Sequence, residues 1–155
     1  MRSAATLPHG RFLLLLCSWA LAFASLEVKA QAHEKRVGAY VLRSSTVASE
    51  TFAEATARAH GIDPAPTRAV LNVTVLRDSG GVLKNVRADV RASAVDMLGR
   101  PRDIPLRPIV GNGMVSYLGS FDFLPREILD FRVVARPDDG GAPITLEFRD
   151  RMWVP

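Results

Sequence analysis

Cysteine is almost missing from this chain: Cys17 is the only one in 155 residues. It lies in an apolar leader, so the chain that follows the leader has no disulfide, no thiolate nucleophile and no cysteine-ligated metal. Stability must then come from packing alone. Histidine is nearly as scarce, with three in all, of which only His33 and His60 follow the leader. A Ser-His-Asp hydrolase needs an imidazole held between acid and nucleophile. The one candidate in the body of the chain is His60, beside Gly61 at the expected end of a helix, where it fits better as a partner for last-turn carbonyls and the helix dipole. No Gly-rich phosphate loop follows a strand, and no His-x-x-x-His or carboxylate cluster has metal-ligand spacing. The residues predict no catalytic residue, no metal ligand set and no cofactor.

An excess of one charge is also lacking where it would count. The whole chain carries +4, but residues 1–30 hold Arg2, Arg11, Lys29 and Glu27, leaving 17 basic against 15 acidic residues, or +2. Acids and bases are neighbours in sequence, as in Arg87/Asp89/Arg91 and Glu147/Arg149/Asp150/Arg151. This is a mixed, solvated surface, without the one-sided basic patch that nucleic acid requires.

What is present begins with the leader. Arg2 and Arg11 flank the start of an apolar run, Phe12 to Ala24, and Val28 and Ala30 occupy the two positions a signal peptidase reads. The run is shorter than the roughly 20 residues needed to span a bilayer. Residues 1–30 therefore read as a cleaved secretory signal, cut after Ala30 or, as second choice, after Ala32. Leu16 precedes Cys17 where lipoprotein processing wants a small residue, which argues against a lipid anchor. The expectation is a periplasmic protein with no membrane anchor after cleavage, residues 31–155 forming a single domain.

The longest β-branched and aliphatic run of that domain, Ala69 to Leu76, organises it. Ala69, Leu71, Val73 and Val75 make one wholly apolar face, and Val70, Asn72, Thr74 and Leu76 a mixed one. Gln31–Arg36 reads as a polar extended arm and 37–47 as a first strand, weakened at Gly38. Thr51 and Glu54 have capping-box spacing, and Ala53 to Ala59 followed by Gly61 predicts one short helix. The turn 78–81 joins the central run to a return strand, 82–95, in a four-residue hairpin. Pro105 and Pro108 confine a strand over 103–108 to an edge. Strands over 114–123, 129–135 and 144–154 complete seven, at the turn spacing of an immunoglobulin-like antiparallel β-sandwich, with a small closed barrel as the alternative.

Few residues invite chemistry. Asp138 and Asp139 could offer oxygens to Ca²⁺, but beside Pro137, Gly140 and Gly141 they read as turn residues. Asn72-Val-Thr74 matches the glycosylation triplet, yet its place in the central strand makes it structural. Cleavage after Ala30 would expose Gln31-Ala32-His33, whose amine, two amides and imidazole can wrap Cu(II) or Ni(II). Trp153 shares parity with Arg149 and Arg151, and so either anchors a partner or caps the open end of the sandwich.

The series Gly38-Ala-Tyr40, His60-Gly-Ile62, Arg68-Ala-Val-Leu-Asn-Val-Thr-Val75, Leu98-Gly99, Tyr117-Leu-Gly119 and Asp139-Gly-Gly-Ala-Pro-Ile-Thr-Leu-Glu-Phe148 resembles a family of small secreted proteins of Gram-negative bacteria. That family is catalogued as domain of unknown function 4426. The resemblance covers nearly all of the mature chain. It implies a periplasmic β-sandwich and brings no activity, ligand or catalytic residue with it. Where the family carries an Asn-Ser-Thr triplet before the helix, this chain departs with Ala48-Ser49-Glu50-Thr51. The resulting expectation is a non-catalytic module for an envelope protein partner, engaged at open strand edges or the 137–143 loop. The alternative is an envelope small-ligand or metal (Cu/Ni) binding protein.

Overall fold

A computed structural model describes residues 31–154. The leader, Cys17 and the Ala30 cleavage position lie outside them. Ten strands form two antiparallel sheets packed as a sandwich, with a 3-10 turn (Ser49–Thr51) and one short helix, α1 (Glu54–Ala59). The first sheet holds β1 (Gln31–Val37), β2 (Tyr40–Ala48), β3 (Arg68–Ser79), β8 (Met114–Asp122) and β7 (Arg107–Gly111) in that order, with β4 (Val82–Asn85) also on β3. The second orders β10 (Ile144–Arg151), β9 (Ile128–Pro137), β5 (Ala88–Asp96) and β6 (Pro101–Ile104).

The alternation of the central run decides the core. Ala69, Leu71, Val73 and Val75 of β3 are buried with Tyr117 and Phe121 of β8, facing Leu129, Phe131 and Val133 of β9 and Ile144 and Leu146 of β10. Val70, on the other face of β3, meets Ala57 and Ile62, which seats α1 on the outside of the first sheet. A helix of six residues is too short to stand alone, and this contact holds it.

Ten strands replace the seven expected, for three reasons. The arm 31–36 is β1, joined to β2 by the two-residue turn Gly38-Ala39, where Gly38 takes φ +56°. Glycine first in a two-residue hairpin turn suits the strand twist. The return strand is two strands: β4 pairs with β3 through the turn Gly80-Gly81, and Val86-Arg87 then carries the chain across to the second sheet as β5. The proline-bearing strand likewise crosses at Pro105-Leu106, giving β6 and β7 on opposite sheets, each an edge. Both crossings keep the period of two, so alternation carries no mark of them.

Two local details also differ. Thr51 does not cap the helix: its hydroxyl donates to Ala48 O at 2.7 Å, and Ala53 is the N-cap without a side-chain bond. Glu54 pairs with Arg58 one turn on instead of reaching back. Ser49 sets this entry by bonding both Ala65 O (3.0 Å) and Ala65 N (2.9 Å). The helix end is as expected, with Gly61 at φ +60° and bonds from Gly61 N to Arg58 O and Ile62 N to Ala57 O completing a Schellman motif. The 137–143 loop is fastened to the first sheet. Asp139 accepts from the Tyr40 hydroxyl (2.7 Å) and Arg77 (3.1 Å), and Gly141 lies where a Cβ would stand 2.6 Å from the Tyr40 ring.

Candidate functional site

Pairing of Asp96 with Leu129 and of Ile128 with Arg151 brings the β5–β6 turn, the β8–β9 corner and the chain beyond β10 to one end of the sandwich. Each contributes large apolar side chains to solvent: Met97 and Leu98 (77% and 79% exposed), Leu124 (63%) and Trp153 (58%). Exposed apolar groups scattered singly need no explanation, whereas a gathered set does. Met152 plugs the core beneath them, its backbone bonded to Arg126 N (3.0 Å) and Glu127 O (2.8 Å). Val82, Val110 and Met114 are also exposed, at the opposite end.

Buried acids build the scaffold under this surface. Asp96 Oδ1 accepts from Leu98 N (2.9 Å) and Arg100 N (3.0 Å), and its Oδ2 from Arg100 Nε (2.6 Å). The Arg100 amide, then the Arg100 side chain and the Leu98 amide, hold the Asp96 carboxyl below its usual range, against burial that pushes it up. A lowered folded-state pKa contributes stability that is complete above the unfolded value, about 4, and lost as pH falls through the folded one. Urea midpoints measured from pH 5 to pH 2 should therefore fall less steeply in Asp96→Asn than in the parent protein. Glu127 completes the scaffold, accepting from Arg102 (2.8 Å) and from Leu124 N (2.9 Å).

The corner 124–127 is a tight turn closed by Glu127 N to Leu124 O at 2.9 Å. Pro125 takes its second position and Arg126 its third, at φ +65°. This is a type II turn, whose third position favours glycine or asparagine, and a side chain there costs roughly 1 kcal/mol. Between this corner and the 97–100 turn lies a hollow of about 250 Å³, adjoining another of about 420 Å³ beside Asp96 and Arg102.

A second cluster closes the side of the sandwich. His33 on β1 places Nε2 2.8 Å from Oδ1 of Asp150 on β10, and Thr46 Oγ1 donates to Oδ2 at 2.9 Å. Asp150 is only 2% exposed. The His33 ring stacks on Phe148 at 4.1 Å, and Phe148 stacks on Phe131 at 4.9 Å. Buried Ser44, directly opposite His33, has an Oγ without a hydrogen-bond partner among the described residues. Asp150 thus turns inward, continuing the parity of Ile144, Leu146 and Phe148. Of the acids and bases that neighbour one another in sequence, Asp89 pairs with Arg91 (3.6 Å), whereas Glu147 and Arg149 pair across strands with Arg132 and Asp130.

The other residues singled out from sequence do not join a site. His60 is the C-cap of α1, and its carbonyl accepts from Arg107 at 3.1 Å. Asp139 is taken by Tyr40 and Arg77; their hydrogen bond holds the Tyr40 hydroxyl above its usual pKa and Asp139 below its own. Asn72 sits within β3, between Ser45 of β2 and Leu118 of β8. Ala32 and His33 pair with Ser45 and Ser44, so their amides point to opposite sides of an extended strand, and the planar set of nitrogens a Cu(II) chelate needs is not formed there. Among the described residues no three His, Cys, Asp or Glu side chains gather into a metal site. Trp153 is exposed with the Arg151 guanidinium 5.8 Å from its ring centre, while Met152 does the capping. What sequence reasoning missed is the 97–98 pair and Arg126. Two signals mark them: large apolar residues in a turn, and arginine where a type II turn wants glycine.

The fold has solved counterparts. A crystal structure of a DUF4426 family protein from Pseudomonas aeruginosa PAO1 matches with a TM-score of 0.69 at 23% identity, covering 80% of this chain and 96% of that one. FetP of a uropathogenic Escherichia coli strain, recombinantly expressed in the periplasm, matches with a TM-score of 0.57 at 10% identity, over 78% of this chain and 93% of that one. A copper-bound variant of FetP matches similarly, with a TM-score of 0.56 at 10% identity, over 77% and 93%. At these identities the likeness is one of fold. No curated protein matches the chain. The family model for the domain of unknown function DUF4426 matches residues 34–155, all but the first few residues of the sandwich, and the chain belongs to that family.

Proposed function

We propose that this protein is a non-catalytic binding module of the bacterial envelope that holds a protein partner at the loop end of its sandwich. The observation that carries the reading is that Met97, Leu98, Leu124 and Trp153, from three separate segments, are exposed at one end, with a hollow lined by the first three. Large aromatic and aliphatic side chains around a hollow are the usual anchors of protein interfaces. The periplasmic setting is supported by the signal-like leader and by the periplasmic expression of FetP, which shares the fold. The strand edges and the 137–143 loop are weaker sites. Pro101 and Pro108 blunt β6 and β7, β1 is fastened by His33, and the loop is tied to Tyr40 and Arg77.

Copper binding is the second reading, and the copper-bound FetP variant is what favours it. The one imidazole that faces a buried carboxylate, His33, offers two donors where a specific site needs more. Affinity purification from source cells tests the first reading. One envelope protein should come with the wild type in near-equal amount and be reduced at least tenfold with Leu98→Asp. Recovery of an equal amount with both would move the interface elsewhere, and recovery of the domain alone with one equivalent of copper would favour the second reading.

A further inference from the structure

We infer that the loop end takes a partner segment in which a large apolar side chain stands beside a carboxylate, and that Arg126 is the residue that reads the carboxylate. This rests on the interaction reading above and adds the chemistry of the partner. The 250 Å³ hollow is walled by Met97 and Leu98 on one side and by Leu124, Pro125 and Ile128 on the other, so it accepts one bulky apolar group. The charge around it is one-sided. Asp96 is taken by Arg100, Glu127 by Arg102, Asp122 by Arg68 and Asp130 by Arg149. Asp103 lies two residues into β6, away from the hollow. Arg126 and Arg151 make no ion pair among the described residues, and Arg151 lies toward the Trp153 ring. Among the described residues, the guanidinium at the rim of the hollow without an acidic partner is that of Arg126.

Backbone geometry gives an independent reason to single out Arg126. It occupies the left-handed position of a type II turn, where glycine would be more stable. A non-glycine residue in a strained backbone conformation is a reason to ask what its side chain does. A guanidinium suits a carboxylate because it can donate two parallel hydrogen bonds. An anionic lipid surface offers similar charge, but its acyl chains lie beneath the head groups, where a protruding tip reaches them and a hollow does not. A protein segment fits both features.

The test is selection of random twelve-residue peptides, displayed on phage, against protein exported and processed from the full chain. Enriched peptides should carry Phe, Trp, Leu or Met within three residues of Asp or Glu, and Arg126→Glu should enrich Lys or Arg at the acidic position. Arg126→Gly should bind the parent peptides about tenfold more weakly, a loss of about 1.4 kcal/mol, while its thermal midpoint rises. That pairing separates lost recognition from a damaged fold. Enriched peptides without an acid, or with the acid retained by Arg126→Glu, would overturn the inference and leave the interaction reading standing. Absence of enrichment, or preferential binding to phosphatidylglycerol vesicles, would also overturn it, and the Leu98→Asp purification would then show whether the interaction reading falls as well.

Discussion

Replacing His33 by alanine is expected to destabilise the protein by about 3 kcal/mol, the upper range for leaving a buried carboxylate short of a hydrogen-bond partner. Asp150 is almost fully buried and has two partners among the described residues, His33 Nε2 and Thr46 Oγ1. Without the imidazole it would keep only a neutral hydroxyl donor. The variant also loses the ring stacked on Phe148, and with it the outer layer of a stack that reaches Phe131 in the core. The companion substitution Asp150→Asn should cost less, because it removes the charge along with its need for compensation. Urea denaturation of the two variants decides the matter. A loss below 1 kcal/mol for His33→Ala would mean that water or Ser44 satisfies Asp150 and that β1 is held by its ladder to β2 alone.

Gly119→Ala is expected to cost about 2–3 kcal/mol, at the upper end for overpacking, although alanine suits a strand better than glycine does. Gly119 faces the interior of β8 between Tyr117 and Phe121, at the point where Pro105-Leu106 crosses from one sheet to the other. A Cβ there would stand 2.6 Å from Pro105 O and 2.9 Å from both Ile104 Cγ2 and Leu106 Cδ2. The carbonyl belongs to a crossing fixed by prolines and cannot step aside cheaply. A thermal midpoint equal to that of the parent would show that the crossing yields, and that the two sheets are less tightly coupled there than the packing implies.

These two positions show what could be read from the chain and what could not. The buried faces of β3, β8 and β9 follow from alternation, because a period of two with one apolar face has a single placement against a core. Gly119 interrupts that alternation, but an interior glycine is ambiguous in sequence: bulge, weak strand and close backbone approach all give the same residue. Asp150 continues the parity of Ile144, Leu146 and Phe148, yet its charge and the neighbouring arginines suggest a surface pair. Only the fold brings His33, 117 residues away, within 2.8 Å of it. The crossings at 86–87 and 105–106 are equally hidden, since each preserves the period on both sides. At the loop end, Met97 and Leu98 are visible as apolar residues in a turn, but their approach to Leu124, and the placing of Trp153 at the same end, depend on the register of β5, β9 and β10.

The motif pieces that link this chain to its family also find physical roles in the fold. Tyr40 and the 139–143 segment meet, with the phenol on Asp139 and the ring over Gly141. Tyr117 accepts from Ala88 N at 2.8 Å, and Gly61 completes the helix end. These are contacts that hold the sandwich together. The loop end, built on the Leu98-Gly99 turn and the 124–127 corner, is the surface proposed above for recognition.

Site-specific photocrosslinking in living source cells tests the binding role most directly. A photoreactive amino acid placed in turn at Met97, Leu98, Leu124 and Trp153, and at Val82, Val110 and Met114 on the opposite end, compares exposed apolar positions of both ends in one experiment. The account predicts a single protein adduct of the same mass from the loop-end positions and none from the other three. Adducts confined to Val82, Val110 and Met114, or none from any position while the protein is exported and folded, would contradict it.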